Sequence, residues 1–400
     1  MNNPLYEISK PFLEDGSSKI ILNFKILLYK QNERVFEILD FENNLIYNEP
    51  TLSSFFNTEV NECQSIESIL YGYSKGNIQI ELFTDEFGRV YLPNVGWFLT
   101  TFQNESLIFD KQTFTLKKGD TNINFDFEKP ALIENTKIEI YKYSLPLLKQ
   151  CYINVKKEQI NVEIEDITKR HLKNLTKAYH IIKENIPTQF ELIEKYAPKC
   201  VIFNVDTYQR NSFASNKALG VGFYNAYQED YDEVFFVDDI AHQTGHAIFN
   251  SMIYEDSRFF KVDKNFTLET LTMPDGSLTE KRSLLVLFHA LYTYYSSFLC
   301  LDSCLENNVF NTRQKHEALG RIAFYINKCC RDLLLFDNPI HLDTKANQYF
   351  TEEGIIIYNE LKNKWKEMHQ KWFEKVKNFD LSNQPYNFTF SEFIELNPLK

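Results

Sequence analysis

Residues 283–301 form a run of nineteen without a charge. A helix that long and that apolar has two physical homes, the bilayer or the centre of a large folded core. His289, Thr293, Ser296, Ser297 and three tyrosines make this run polar for a lipid-facing segment. The expectation is therefore a buried core helix and no membrane partner. A histidine inside it is a buried polar group that needs a partner.

The rest of the chain is able to supply such a core. With 400 residues, 44% of them hydrophobic, it needs no disulfide staples, and its length suits two domains. Gly and Pro, at 12 each, are too few for long flexible linkers. Lys and Arg number 43 against 55 Asp and Glu, a net charge of −12. Nucleic-acid binders draw affinity from a basic surplus, so no nucleic-acid partner is expected. The seven cysteines, Cys63, Cys151, Cys200, Cys300, Cys304, Cys329 and Cys330, are scattered and odd in number. They read as reduced thiols rather than a disulfide framework. No basic-then-apolar leader stands at residues 1–19, which makes the cytoplasm the expected location.

The first 155 residues read as strand-rich. Short β-type runs are expected at 20–29, 35–39, 77–83, 89–92, 106–109, 113–116, 122–127 and 137–143, with 84–88 as a hairpin turn between two of them. No histidine occurs before His171. From 156 to 400 the pattern is mostly helical, with expected helices at 164–185, 239–254, 281–301, 313–335 and 351–377. A second short helix is bracketed by Pro187 and Pro198, and strands are expected at 200–205 and 218–224. The run 233–237 reads as β-type. The fold class expected is α+β: a strand-rich domain at 1–155, then a mostly helical metal-binding domain at 156–400.

The chemistry concentrates in 233–250, EVFFVDDIAHQTGHAIFN. His242 and His246 are four apart, so on a helix both imidazoles share one face. That is the spacing of the zinc-binding HExxH motif, with Gln243 where the motif has its general base. An amide has no titratable group near neutrality, which argues against peptide hydrolysis. Asp239 lies on the same face and suits a hydrogen bond to a ligand histidine. The blander reading of Asp238 and Asp239 is capping of a helix start. A third ligand is expected from His289, and Arg282 stands seven residues before it. If both lie on one helix face, a guanidinium about 10 Å along the axis from the metal suits the far carboxylate of a small dicarboxylate. The blander reading of Arg282 is a solvated helix-start residue.

HQTGH at 242–246 and KRSLLVLFHALY at 281–292, with softer agreement in NSFASNKALGVGF at 211–223 and FTEEGIIIYNEL at 350–361, resemble the HExxH-domain proteins of bacterial peptide natural-product clusters. The resemblance covers roughly 165–375. Members of that family are iron(II)- and 2-oxoglutarate-dependent oxygenases that β-hydroxylate ribosomally made precursor peptides. The resemblance implies that His242, His246 and His289 hold Fe(II) and that Arg282 contacts 2-oxoglutarate, with O2 as the oxidant. Gln243 departs from the family's Glu. Asp239 stays open as a carboxylate ligand in place of His289, as in the commoner two-histidine, one-carboxylate sites. Three histidines accept zinc or iron, so iron follows from the resemblance alone.

Two other functions fit the same residues. One is a non-catalytic protein that binds a precursor peptide or partner enzyme. The other is a zinc hydrolase of the metallopeptidase type, opposed by Gln243. His171, His180, His316, His341 and His369 read as structural. Trp365 and Trp372, seven apart, read as packing, with a peptide groove as the alternative. The strand-rich domain offers sheet edges to a leader peptide.

Overall fold

The computed structural model describes residues 3–58, 64–154, 156–272, 279–337 and 345–399. Cys63 and His341 lie outside them. The chain opens with helix α1 (Pro4–Asn32) and four short helices, α2 (Val35–Ile38), α3 (Asn44–Tyr47), α4 (Pro50–Asn57) and α5 (Ile66–Leu70). Strands follow: β1 (Gln79–Phe83), β2 (Arg89–Leu92), β3 (Gly96–Leu99), β4 (Ser106–Asp110), β5 (Thr115–Lys118), β6 (Thr121–Ile123), β7 (Asp126–Glu128), β8 (Ala131–Leu132) and β9 (Glu139–Ile140). After the short helix α6 (Pro146–Lys149) come α7 (Glu165–Asn185) and α8 (Pro187–Tyr196). Next are β10 (Lys199–Phe203), β11 (Phe213–Ala214) and β12 (Val221–Asn225). The remainder is helical, α9 (Glu233–Met252), α10 (Leu284–Glu306), α11 (Thr312–Phe336), α12 (Glu352–Val376) and α13 (Phe390–Leu396), apart from the ribbon β13 (Thr267–Thr272) and β14 (Thr279–Ser283). The fold is α+β, strand-rich over 79–225 and mostly helical over 233–396.

Packing divides the chain into two compact units that interleave in sequence. The strand unit is Ser18–Leu172 with Ala197–Glu229, and the helical unit is Met1–Ser17, Lys173–Tyr196 and Asp230–Lys400. The division therefore does not fall at 155/156. Its cause is pairing: β10 runs parallel to β9 and to β12, so the strands after 197 complete the sheet begun by β8 and β9.

The expected strands at 20–29 and 35–39 are helical. Phe24 and Leu28, one turn apart, are buried, while Leu22, Ile26 and Tyr29 are exposed. That is helical spacing, and a short apolar run does not by itself distinguish the two periods. The expected hairpin around 84–88 is also absent. β1 pairs with β4, and β2 with β3. Three hydrophobic clusters fill the strand unit, one of them joining the helices Phe24–Leu70 to Leu147.

In the helical unit, α10 is the central element. It is long and apolar enough to cross a membrane, yet 78% of its most apolar stretch is buried against protein, as in a core helix. Trp365 donates its indole N–H to the Ile326 carbonyl at 2.9 Å, and Trp372 donates to Asp302 at 2.8 Å. Both indoles are buried and pin α12 to its neighbours, which is the packing reading of that pair. The six described cysteines are free thiols.

Candidate functional site

Helix α9 starts five residues before the aspartate pair. Its cap is Asp232, whose carboxylate accepts the Val234 N–H at 2.9 Å. The run EVFFV is thus helix rather than strand, and Asp238 and Asp239 lie within the helix instead of capping it. The cause is burial: a helix enclosed on nearly every side is apolar all round and loses its amphipathic signature. From Glu233 to Phe249 every residue is buried except Asp239, His242 and His246. These three sit at i, i+3 and i+7, a single half-open stripe along an otherwise closed helix.

Helix α10 brings the third imidazole to that stripe. Ser283 caps it, accepting the Val286 N–H at 3.4 Å, and His289 is half-buried near its start. Gly245 lets the two helices close. A Cβ there would stand 3.1 Å from the Ser296 hydroxyl oxygen and 3.5 Å from the Thr293 Cα. As a result His246 Nδ1 lies 2.8 Å from His289 Nε2, with ring centroids 4.4 Å apart. His289 also stacks on Phe249 at 4.7 Å. His242 and His246 are 5.2 Å apart between centroids.

Two tyrosines flank His242: Tyr325 at 6.0 Å, nearly parallel, and Tyr294 at 6.3 Å. Each donates its hydroxyl to a buried aspartate held by an arginine. Tyr325 donates to Asp238 at 3.1 Å, and Arg321 reaches the same oxygen at 2.8 Å. Tyr294 donates to Asp332 at 3.2 Å, and Arg282 grips both Asp332 oxygens at 2.8 Å. The bidentate Arg282–Asp332 pair fixes its geometry firmly, while Arg321 reaches Asp238 through one oxygen. Sequence reasoning did not single out Arg321, Tyr325 or Asp332, and it gave Tyr294 no role. The signal was present on α11, where Arg321, Tyr325, Lys328 and Asp332 recur at i, i+4, i+7 and i+11.

Arg282 departs from the expectation. It belongs to β14, before α10 begins, so it does not share a helix face with His289. Nor is it a solvated helix-start residue. It is buried, and its guanidinium holds Asp332 and, at 2.9 Å, Glu269. Its fork is filled by two carboxylates, so it does not fit the role of contact to a dicarboxylate as it stands. Gln243 is buried too. Its amide donates to Asp239 at 3.1 Å, while its own oxygen is buried without a hydrogen bond.

Burial drives all three imidazoles toward the neutral form. It lowers His246 from 6.5 to about 4 and holds His242 and His289 well below the usual imidazole value. His246 adds to the depression of both, and Lys328 adds to that of His242. A neutral imidazole is the form that binds metal. His242 Nδ1 is buried without a hydrogen-bond partner. His246 Nδ1 and His289 Nε2 lie at hydrogen-bond distance, 2.8 Å, so one ring donates its N–H to the other, and two ligands on a tetrahedral ion with bonds of about 2.1 Å would stand farther apart, at ~3.4 Å. By type, neutral imidazoles suit a transition metal. Among the described residues, no three His, Cys, Asp or Glu groups already converge as a metal-ligand cluster. The three rings are neighbours, with His246 in the middle, rather than a closed cage.

Of the other histidines, His316 bonds the Asn397 carbonyl at 2.6 Å and His369 stacks on Phe373 at 4.7 Å. His171 is buried, and none of these three is in ring contact with the 242–246–289 group. The resemblance drawn from the motifs rests on those residues alone: no protein-family model matches the chain, and no curated protein does.

Proposed function

We propose that the protein is an iron(II)- and 2-oxoglutarate-dependent oxygenase that hydroxylates a side-chain carbon, the β-carbon foremost, of a ribosomally made precursor peptide. One observation carries the metal part: Asp239, His242 and His246 are the only half-open residues between Glu233 and Phe249 of a buried helix, and His289 meets His246 from a second helix. The family resemblance of the motif residues carries the choice of iron, cosubstrate and peptide. Such a protein works in the cytoplasm, where these peptides are made.

The bound iron, with 2-oxoglutarate and O2, supplies the oxidising power for an unactivated C–H bond. The chain's own residues do the rest. His242, His246 and His289 hold the metal as neutral imidazoles. Tyr294 and Tyr325, locked by Asp332 and Asp238, confine the His242 ring and exclude water from that side. Gln243 turns its amide toward Asp239, which is the carboxylate placed to orient a ligand or a bound water. The strand unit would recognise the peptide through a sheet edge.

The test is anaerobic loading with Fe(II), followed by O2, 2-oxoglutarate and candidate peptides. The expected product is heavier by one oxygen atom and forms only when all three components are present. His242→Ala should abolish both metal retention and product. Product that persists in that variant would remove the histidine cluster from the reaction.

A second reading, a non-catalytic peptide- or partner-binding protein, is favoured by Gln243 and by the filled fork of Arg282. Under it the purified protein retains less than about half an equivalent of any transition metal after anaerobic iron addition. A zinc hydrolase is disfavoured because Gln243 offers no base.

A further inference from the structure

Helix α11 uses its two faces differently. Arg321, Tyr325 and Asp332 lie on the face that carries the tyrosine–aspartate–arginine contacts. Ala323, Ile326 and Cys330 recur at i, i+3 and i+7 on the opposite face, about half a turn round the axis. That second face borders a cavity of about 310 Å³ between α11 and α12. None of the three clustered histidines lines it, so the cavity is independent of the oxygenase reading.

On α12, Trp365, His369 and Phe373 stand one turn apart and nearly stacked, with centroids 5.3 and 4.7 Å apart and tilts of 32° and 25°. A row of stacked rings turns its edges sideways, and ring edges carry the positive end of the aromatic quadrupole. They suit the face of another flat ring. Trp365 is buried while Phe373 is 41% exposed, so the row runs from the interior toward solvent.

The charge of the lining is one-sided. Lys366 and Lys377 border the cavity and no Asp or Glu does, in a chain with 55 acidic residues against 43 basic ones. Lys377 is held by Glu374. Lys366 is half-buried, and among the described residues it makes no hydrogen bond or ion pair. A half-buried ammonium without a counter-charge, beside positive ring edges, favours an anion. A volume at the lower end of small-molecule sites admits one or two fused rings. A rigid ring also loses less internal freedom on binding than an acyl chain of the same size.

We infer that this cavity binds a small aromatic carboxylate, its ring seated between Cys330 and the Trp365–His369–Phe373 row and its carboxylate on Lys366.

The experiment uses the full-length protein. Calorimetry compares 2-naphthoate with 2-naphthalenemethanol, which keeps the rings and lacks the charge, and with decanoate, which keeps the charge and lacks the rings. The wild type should bind 2-naphthoate tightest, roughly three- to tenfold ahead of the alcohol, the worth of one partly screened charge contact. Lys366→Met should erase that margin and leave the alcohol within about twofold of its wild-type affinity. Ala323→Leu should fill the cavity and abolish binding of both ring compounds; Cys330→Leu serves in its place should that variant melt early. Bound 2-naphthoate should also slow alkylation of the Cys330 thiol by iodoacetamide, read by mass spectrometry on the peptide that carries it. No binding of 2-naphthoate at millimolar concentration, binding that survives the filled cavity, or unchanged alkylation of Cys330 overturns the site. Decanoate binding tighter than 2-naphthoate, or a margin over the alcohol that persists in Lys366→Met, overturns the class of ligand.

Discussion

The two units each bury a group of ionisable side chains, and they treat them in opposite ways. In the strand unit, Lys199 lies 2.6 Å from Glu139 and 3.4 Å from Glu49. Tyr91 donates to Glu139 at 2.7 Å, Tyr73 to Glu49 at 2.7 Å, and the Thr51 hydroxyl to Glu49 at 2.9 Å. The cluster is buried and densely hydrogen-bonded. In the helical unit, the three histidines are half-open, and the buried group leaves His242 Nδ1 and Gln243 Oε1 without hydrogen bonds. Buried polar groups are ordinarily satisfied, so a sealed and saturated cluster reads as architecture, whereas an open and unspent one asks for a ligand.

That contrast breaks first, and with the largest effect, at Lys199. Burial raises the carboxyl of Glu49, but Lys199 and the hydroxyls of Tyr73 and Thr51 more than offset it, so it ends below its usual value. Glu139 shares the same cation and ends raised, because burial outweighs its partners. Lys199→Met strands both carboxylates. The expected loss is about 3–5 kcal/mol, read from denaturant unfolding. A loss under about 1 kcal/mol would mean that the sealed cluster does not hold its unit together.

The open cluster gives a different signature, a pH dependence. A histidine whose folded pKa is lowered binds its proton more readily unfolded, so its contribution is present above the unfolded value and is lost as the pH falls. For His246 the window runs from 6.5 down to about 4. At about 1.4 kcal/mol per unit this is worth up to about 3 kcal/mol, less what the half-open ring keeps of its hydration. Metal-free protein should therefore lose stability progressively through that window. His246→Gln should flatten the slope, which chemical denaturation at a series of pH values would read directly. An unchanged slope would show that the imidazoles stay hydrated.

Gln243→Glu restores the residue of the zinc-peptidase motif and probes the same cluster with a smaller effect. The amide that donates to Asp239 becomes a second carboxylate beside it, in a buried position. Loss of the donor and the new repulsion should cost about 1–3 kcal/mol in metal-free protein. Metal should recover part of that loss, since a cation reverses the local sign. Equal destabilisation with and without Fe(II) in thermal melts would separate Gln243 from any metal position.

Much of this site was legible in residue spacing. The i, i+3, i+7 stripe of Asp239, His242 and His246 needs only a helix, and His289 had to seek a polar partner because its run is uncharged. Arg282 was misplaced by two residues. Ser283 both ends β14 and caps α10, so Arg282 falls within the strand. The error at 20–29 has another origin, since apolar runs are compatible with either period until a long-range partner selects one. Strand pairing is equally silent in the sequence. Nothing local in 79–83 announces that its partner is 106–110 rather than 89–92. The tyrosine–aspartate–arginine chains required knowing that α11 faces α9 and α10, which is tertiary information.

The smallest effect sharpens the comparison because it holds chemistry constant and changes only burial. Lys118 and Glu105 in the strand unit meet at 2.7 Å, nearly the distance of Lys199 from Glu139, but both are about two-fifths exposed, at 41% and 43%. Water screens the pair and solvates either ion once its partner is gone, so the desolvation cost that dominates at Lys199 does not arise. Lys118→Ala should therefore cost less than about 1 kcal/mol in the same unfolding assay that reads Lys199→Met, and added salt should shrink even that. Similar losses at the two lysines would mean that burial is not what separates a structural ion cluster from a decorative one. The reasoning that assigns Lys199 to architecture and the histidine stripe to ligand binding would then lose its physical basis.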